Sequence, residues 1–79
     1  MARVRVKFSY SVEKVSIPVI DMLSKRFNLV GNIRRADVQD HSGWVVLQLD
    51  GEQDDIDSGL KWVREQGVIV DPVEGDVVQ

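Results

Sequence analysis

From Arg3 to Tyr10 the chain alternates without a break: Val4, Val6, Phe8 and Tyr10 fall on one side of an extended segment, and Arg3, Arg5, Lys7 and Ser9 on the other. A helix would scatter these residues around its circumference. A strand sorts them into one apolar face that must be buried and one basic face that need not be. Whatever covers the apolar face has to come from the same short chain. With 79 residues there is room for one domain, and a domain of that size buries only about 60% of the surface its unfolded form exposes. The sequence has no cysteine, which excludes a disulfide framework, a thiolate zinc site and an iron-sulfur cluster. Stability must therefore come from packing or from self-association.

The next segments supply the cover. Ser16 precedes Ile17 and Pro18, a pattern that predicts a helix capped by Ser16 with the proline in its first turn. Val19, Met22, Leu23 and Phe27 then form a helical stripe, while Asp21, Lys25 and Arg26 take the wet side, and the helix should end near Phe27 or Asn28. A second extended segment runs from about Leu29 to Asp40. Its apolar residues change parity, since Ile33 is odd while Ala36 and Val38 are even, so one face can hold all three only with a bulge or twist around Arg34 and Arg35. His41, Ser42 and Gly43 predict a tight hairpin turn. The third strand, Trp44 to Asp50, would bury Val45, Leu47 and Leu49 and leave Trp44, Val46 and Gln48 outward.

Gly51 opens a loop, and Asp54 with Asp57 resembles a helix start, with acidic groups at the positive end of the helix dipole. Ile56, Leu60 and Val63 form the stripe of this second helix. Gly59 beside them allows close approach to a sheet, and Gly67 is placed for a left-handed cap. Val68 to Val70 read as a last strand, stopped by Pro72 and lying at an edge. The order strand, helix, strand, strand, helix, strand is that of a ferredoxin-like α+β sandwich, with both helices on one face of a four-stranded antiparallel sheet. The domain should span residues 1–73, with 74–79 a flexible tail.

The other sheet face is then open, carrying Arg3, Arg5 and Lys7 beside Trp44, Val46 and Gln48. In RNA-binding modules of this topology such a face stacks bases on aromatics, but Trp44-Val45-Val46-Leu47-Gln48-Leu49 lacks their aromatic-rich third strand. The count of 10 Lys and Arg against 13 Asp and Glu, a net charge of −3, also argues against a grip on phosphates. Nucleic acid is thus not an expected partner. The expectation for Trp44, Val46 and Arg5 is a protein interface. Trp62, beside the second helical stripe, reads as partly buried at a helix-sheet boundary.

Catalytic chemistry finds no foothold. The single histidine, His41, has no second His or Cys with which to hold a transition metal. The run Glu52, Asp54, Asp55, Asp57 lacks the alternating ligands and distal glutamate of a calcium loop. No serine has a base and an orienting group within reach of a sequence argument. An acylphosphatase-type enzyme would need an arginine in a loop after the first strand, and Tyr10-Ser11-Val12-Glu13 offers none. No catalytic residue, metal or cofactor is expected. There is no secretory signal and no run of roughly 20 apolar residues, so membrane insertion is not expected and the default location is cytoplasmic.

The stretch Lys25-Arg26-Phe27-Asn28-Leu29-Val30-Gly31-Asn32-Ile33 resembles the signature of the NIL domain family, named for an Asn-Ile-Leu triplet that here reads Asn32-Ile33-Arg34. The resemblance extends from about residue 3 to 72, through Val6-Lys7-Phe8 at the start and Gly59-Leu60-Lys61-Trp62-Val63, which is similar to the family's Ala-Ile-x-Trp-Leu segment. It implies an ACT-like regulatory module. NIL domains occur at the C-terminus of methionine-importer ATPases, where a pair of them binds methionine between them and inhibits transport. Others are fused to ferredoxin modules linked to sulfur assimilation. The resemblance implies a ligand site at Asn32, with Gly31 and Ile33 beside it. An asparagine offers donors and an acceptor to either end of a zwitterion. In the residues themselves, a turn or bulge role for Asn32, tolerating unusual backbone angles, is the competing explanation.

With no nucleotide-binding domain and no cysteine in the sequence, the resemblance implies a free-standing NIL domain that acts on another protein. Arg34 in place of leucine puts a charge beside the implied site, where it would alter ligand choice or dimer contacts. The leading expectation is a homodimeric, non-enzymatic module that binds methionine or a related amino acid and serves sulfur amino acid metabolism or transport. The alternative is a ligand-free interaction module that docks on a transporter ATPase or sulfur-metabolism enzyme through its sheet face.

Overall fold

A computed structural model of the protein describes residues 1–11 and 18–73. The Ser16 cap and the tail 74–79 fall outside the described residues. The elements run β1 (Ala2–Ser11), α1 (Val19–Phe27), β2 (Val30–Val38), β3 (Ser42–Gly51), α2 (Gln53–Glu65) and β4 (Ile69–Pro72). The strands form one antiparallel sheet in the order β2-β3-β1-β4, the ferredoxin-like arrangement that the alternation of periods predicts.

Strand β1 is central because its apolar face has neighbours on both sides. Val4, Val6 and Phe8 stand opposite Leu49, Leu47 and Val45 of β3, and Phe8 stands opposite Val70 of β4. Onto this face pack Val19 and Leu23 from α1 and Ile56 and Val63 from α2, closing a core in which Leu23, Leu47, Leu49 and Val63 are fully buried. The basic side of β1 faces away from both helices.

Several boundaries differ from the sequence expectation, each for a local reason. Pro18 occupies the N-cap of α1 rather than its first turn, and its carbonyl accepts the Met22 N–H at 3.0 Å. Helix α1 ends where expected, at Asn28, whose φ of 55° is left-handed and whose N–H donates to the Ser24 carbonyl. The hairpin turn lies one to two residues earlier than His41-Ser42-Gly43: the Gln39 N–H donates to the Ser42 carbonyl at 2.8 Å, and both Ser42 and Gly43 belong to β3. Gly43 is needed for space, since a Cβ there would stand 3.1 Å from the Tyr10 hydroxyl.

Helix α2 begins at Gln53 rather than Asp54, with Glu52 at the N-cap and Asp54 and Asp55 in the first turn. Gly59 serves a close approach to α1, not to the sheet, because a Cβ there would meet Leu23 Cδ1 at 2.8 Å. Trp62 likewise lies on the helix-helix seam rather than at a helix-sheet boundary. Its ring is tilted against Phe27 at 5.9 Å, with the Arg26 guanidinium 5.3 Å from its centroid. Gly67 adopts the left-handed φ of 95° that ends α2. Strand β4 runs through Pro72, which pairs with Val6, and lies at the sheet edge, where a missing N–H is tolerated.

Candidate functional site

Two surfaces hold the residues singled out by the sequence: the open sheet face and the β2 edge. On the open face the β1–β3 register sets Arg3 opposite Asp50, Arg5 opposite Gln48, Lys7 opposite Val46 and Ser9 opposite Trp44. The result is a ladder of polar contacts across the sheet. Arg3 Nε donates to Asp50 Oδ1 at 2.7 Å, Arg5 Nη2 donates to Gln48 Oε1 at 3.2 Å, and Gln48 Nε2 donates to Asp50 Oδ2 at 3.4 Å. Gln48, only 9% exposed, is the one polar side chain that this ladder buries among the described residues. The Arg3 hydrogen bond and charge, supported by Gln48, hold the Asp50 carboxyl below the usual carboxylate range against the opposing effect of desolvation.

Trp44 lies on this face as its parity requires, and is half-buried. Lys7 Nζ stands 5.1 Å from its ring centroid, a cation–π contact that spreads the basic stripe over the aromatic. The sequence placed these residues side by side, but it did not reveal the Arg3–Asp50–Gln48–Arg5 ladder. The available signal was the match of alternate cations on β1 to Gln48 and Asp50 at the same spacing on β3, which becomes a ladder only once the register is fixed.

The signature residues lie on β2. Gly31 pairs with Leu49, Asn32 with Gln48 and Ile33 with Leu47, so Asn32 belongs to the open face while Gly31 and Ile33 belong to the helix face. All three are exposed. Asn32 occupies a regular strand position. The register shift lies between Ile33 and Arg35, leaving Arg34 as the extra residue, and the left-handed asparagine is Asn28. The turn or bulge explanation of Asn32 is thereby overturned, while the bulge demanded by the parity change is found where it was expected. Beyond it Ala36 and Val38 return to the helix face, opposite Val45 and Gly43.

Neither helix covers this strand: every β2 residue is exposed, with Val30 at 66%, Ile33 at 54% and Val38 at 64%. Two of the cavities among the described residues bear on these surfaces. One of about 240 Å³ lies beneath the start of α1, against Phe8, Val45 and Val68, with Tyr10 and Asp21 at its wall. The other, a shallow groove of about 430 Å³, runs past Ser9, Asp37, Trp44 and Ile69 at the hairpin end of the open face. Gly31, Asn32 and Ile33 line neither, so within one chain the signature does not enclose a ligand. His41 is exposed in the hairpin turn, and among the described residues no group of three or more His, Asp or Glu side chains converges on a common point.

The family model of the NIL domain matches residues 4–72. The chain belongs to the NIL domain family. No curated protein matches it by sequence. Among solved structures, the C-terminal domain of an ABC transporter ATP-binding protein from Enterococcus faecalis superposes with a TM-score of 0.83 at 18% identity, covering 92% of this chain and 86% of that one. The de novo designed protein Ferredog-Diesel superposes at 0.54 with 16% identity, covering 92% and 85%. At these identities the likeness is one of fold, and it matches the strand and helix order of this NIL domain. No helix among the described residues is long and apolar enough to cross a membrane.

Proposed function

We propose that this NIL domain is a non-enzymatic regulatory module that pairs with a second copy and binds a small amino acid, methionine or a sulfur relative, at the Gly31-Asn32-Ile33 segment. The observation that carries this reading is the position of the segment. It lies on a long strand that neither helix covers, so a second chain has access to it and can supply the walls that one chain lacks. Asn32 offers its amide to the zwitterion on the open face, and the second copy supplies the apolar wall that receives the side chain, since Ile33 points to the helix face. The module acts in the cytoplasm on a transporter ATPase or an enzyme of sulfur amino acid metabolism. Family membership and the fold shared with an ATP-binding protein's C-terminal domain support that link.

The test is calorimetric titration with L-methionine, using homocysteine, cysteine and norleucine as comparisons. Saturable binding at one or two ligands per dimer is expected, and Asn32→Ala should weaken it without unfolding the domain. Unchanged affinity would remove Asn32 from the site, and no heat with any ligand would overturn the sensor reading. The second reading, a ligand-free docking module, rests on the open face, where Trp44, Val46 and Arg5 lie together on a surface that no described element covers. Trp44→Ala should then abolish co-purification with the transporter ATPase or enzyme, and an intact complex would count against it.

A further inference from the structure

The two edges of the sheet are built differently. Strand β4 is four residues long and carries Asp71 and Pro72, features that discourage pairing. Strand β2 is nine residues long and shows exposed Ile33 and Val38 on its helix side. Its backbone edge is a template for another strand, and its side chains restrict which strand fits. If a second copy adds antiparallel about a two-fold axis, paired residues must share a sheet face. The sum of their numbers is then even, and one residue faces itself on the axis.

Beyond the bulge this leaves few registers. Centring on Arg35 sets two guanidinium groups against each other, and centring on Asp37 does the same with two carboxylates. Like charges directly opposite are destabilising. Centring on Ala36 instead sets Arg35 opposite Asp37 of the other copy, twice. It also brings Ile33, whose place on the helix face the Arg34 bulge preserves, next to Val38 of the other copy, again twice. Charges are matched on the open face and exposed apolar groups on the helix face. The two Arg34 residues are about three strand positions apart, about 10 Å, beyond a physiological screening length of about 8 Å.

We propose that two copies of this chain join their β2 strands in the register centred on Ala36, forming one continuous sheet whose seam runs beside Asn32 and Ile33. This rests on the paired-module reading above and specifies its contact. The absence of cysteine makes the register readable. In A36C the two sulfurs face each other across Cα atoms about 4.5–5.5 Å apart, within disulfide range. In V38C, also exposed on the same strand, they lie about 14 Å apart along it.

Mild oxidation should cross-link A36C rapidly and V38C at least tenfold more slowly. In sedimentation, R35D and D37R should each raise the dimer Kd by about tenfold or more, and R35D/D37R together should restore it, because the exchange recreates both pairs. A dimeric wild type in which V38C cross-links as fast as A36C, or in which the double exchange fails to rescue, would overturn the register while leaving pairing intact. A wild type that stays monomeric to millimolar concentration would overturn both.

Discussion

Replacing Gly59 by alanine sets two known effects against each other at one point on the α1–α2 contact. In an isolated helix the change gains about 1 kcal/mol of propensity. Here the new methyl would stand 2.8 Å from Leu23 Cδ1 and 3.1 Å from Leu29 Cδ1, whereas carbon atoms rest about 3.5–4.0 Å apart. Both obstacles are the ends of flexible side chains, which in a loose environment would swing away. They have nowhere to go, because Leu23 is 0% and Leu29 4% exposed. Relief therefore requires α2 to lift off α1, or the leucines to leave their rotamers, at an overpacking cost of about 1–3 kcal/mol. The balance is a net loss of about 1 kcal/mol, or a fall in Tm of roughly 4–8 °C for a domain of this size.

Urea titration followed by circular dichroism measures the loss directly. Leu23→Val, which withdraws the obstructing Cδ1, supplies the control: in that background Gly59→Ala should cost little or become stabilising, a coupling of opposite sign to the single effects. An alanine variant as stable as the parent, or two effects that add within about 0.5 kcal/mol, would refute the claim that these helices touch through Gly59.

Three further outcomes follow from other parts of the structure. Asn28→Ala should cost about 1 kcal/mol in urea denaturation, because a β-carbon without a polar partner is disfavoured at its φ of 55°, whereas Asn28→Gly should be nearly neutral. Asp50 has a folded-state pKa below its unfolded value, so its contribution is present above the unfolded pKa and is lost as pH falls through the folded one. The difference in Tm between wild type and Asp50→Asn should therefore close on acidification, and a difference independent of pH would exclude the Arg3 pairing as its source. Deleting one of the two residues Arg34-Arg35 should leave a folded domain, because the bulge carries one residue more than its partner strand and its removal keeps Ile33, Ala36 and Val38 on one face. Loss of dispersed amide resonances in this variant would show that the strand needs its bulge.

The periodicity of the sequence carries most of the fold because burial here is sorted by parity and by helical stripe. Val4 to Tyr10, Val45 to Leu49 and Ile56 to Val63 each state their inward face without help from the rest of the chain. The change of parity between Ile33 and Ala36 even located the bulge. What periodicity could not show is depth. Ile33, Ala36 and Val38 share one face once the bulge is allowed for, as Val45, Leu47 and Leu49 do by strict alternation, yet the first set is exposed and the second buried, since the helices cover only part of the sheet. Glycines at 43 and 59 were legible as small residues but not as to what crowds them, because Tyr10 and Leu23 reach them across the fold. Turn and cap boundaries moved by a residue or two for the usual reason: backbone hydrogen bonds such as that from Gln39 to Ser42 have no side-chain signature.

The signature segment divides at Leu29. Its first half is structural: Arg26 and Phe27 pack on Trp62, Asn28 turns the chain out of the helix, and Leu29 enters the core beside Gly59. Its second half, Val30 to Ile33, makes no comparable contact and lies exposed along the sheet edge. The first half fixes where the second begins, for the left-handed Asn28 sets the strand's entry and Leu29 anchors it. A shift of one residue there would move Asn32 to the helix face and Ile33 to the open one. A recognition function at this edge therefore depends on the buried half of the signature as much as on the residues that would touch a ligand. Loss of binding in an Asn28 or Phe27 variant would report on register, while loss in an Asn32 variant with intact stability would report on contact.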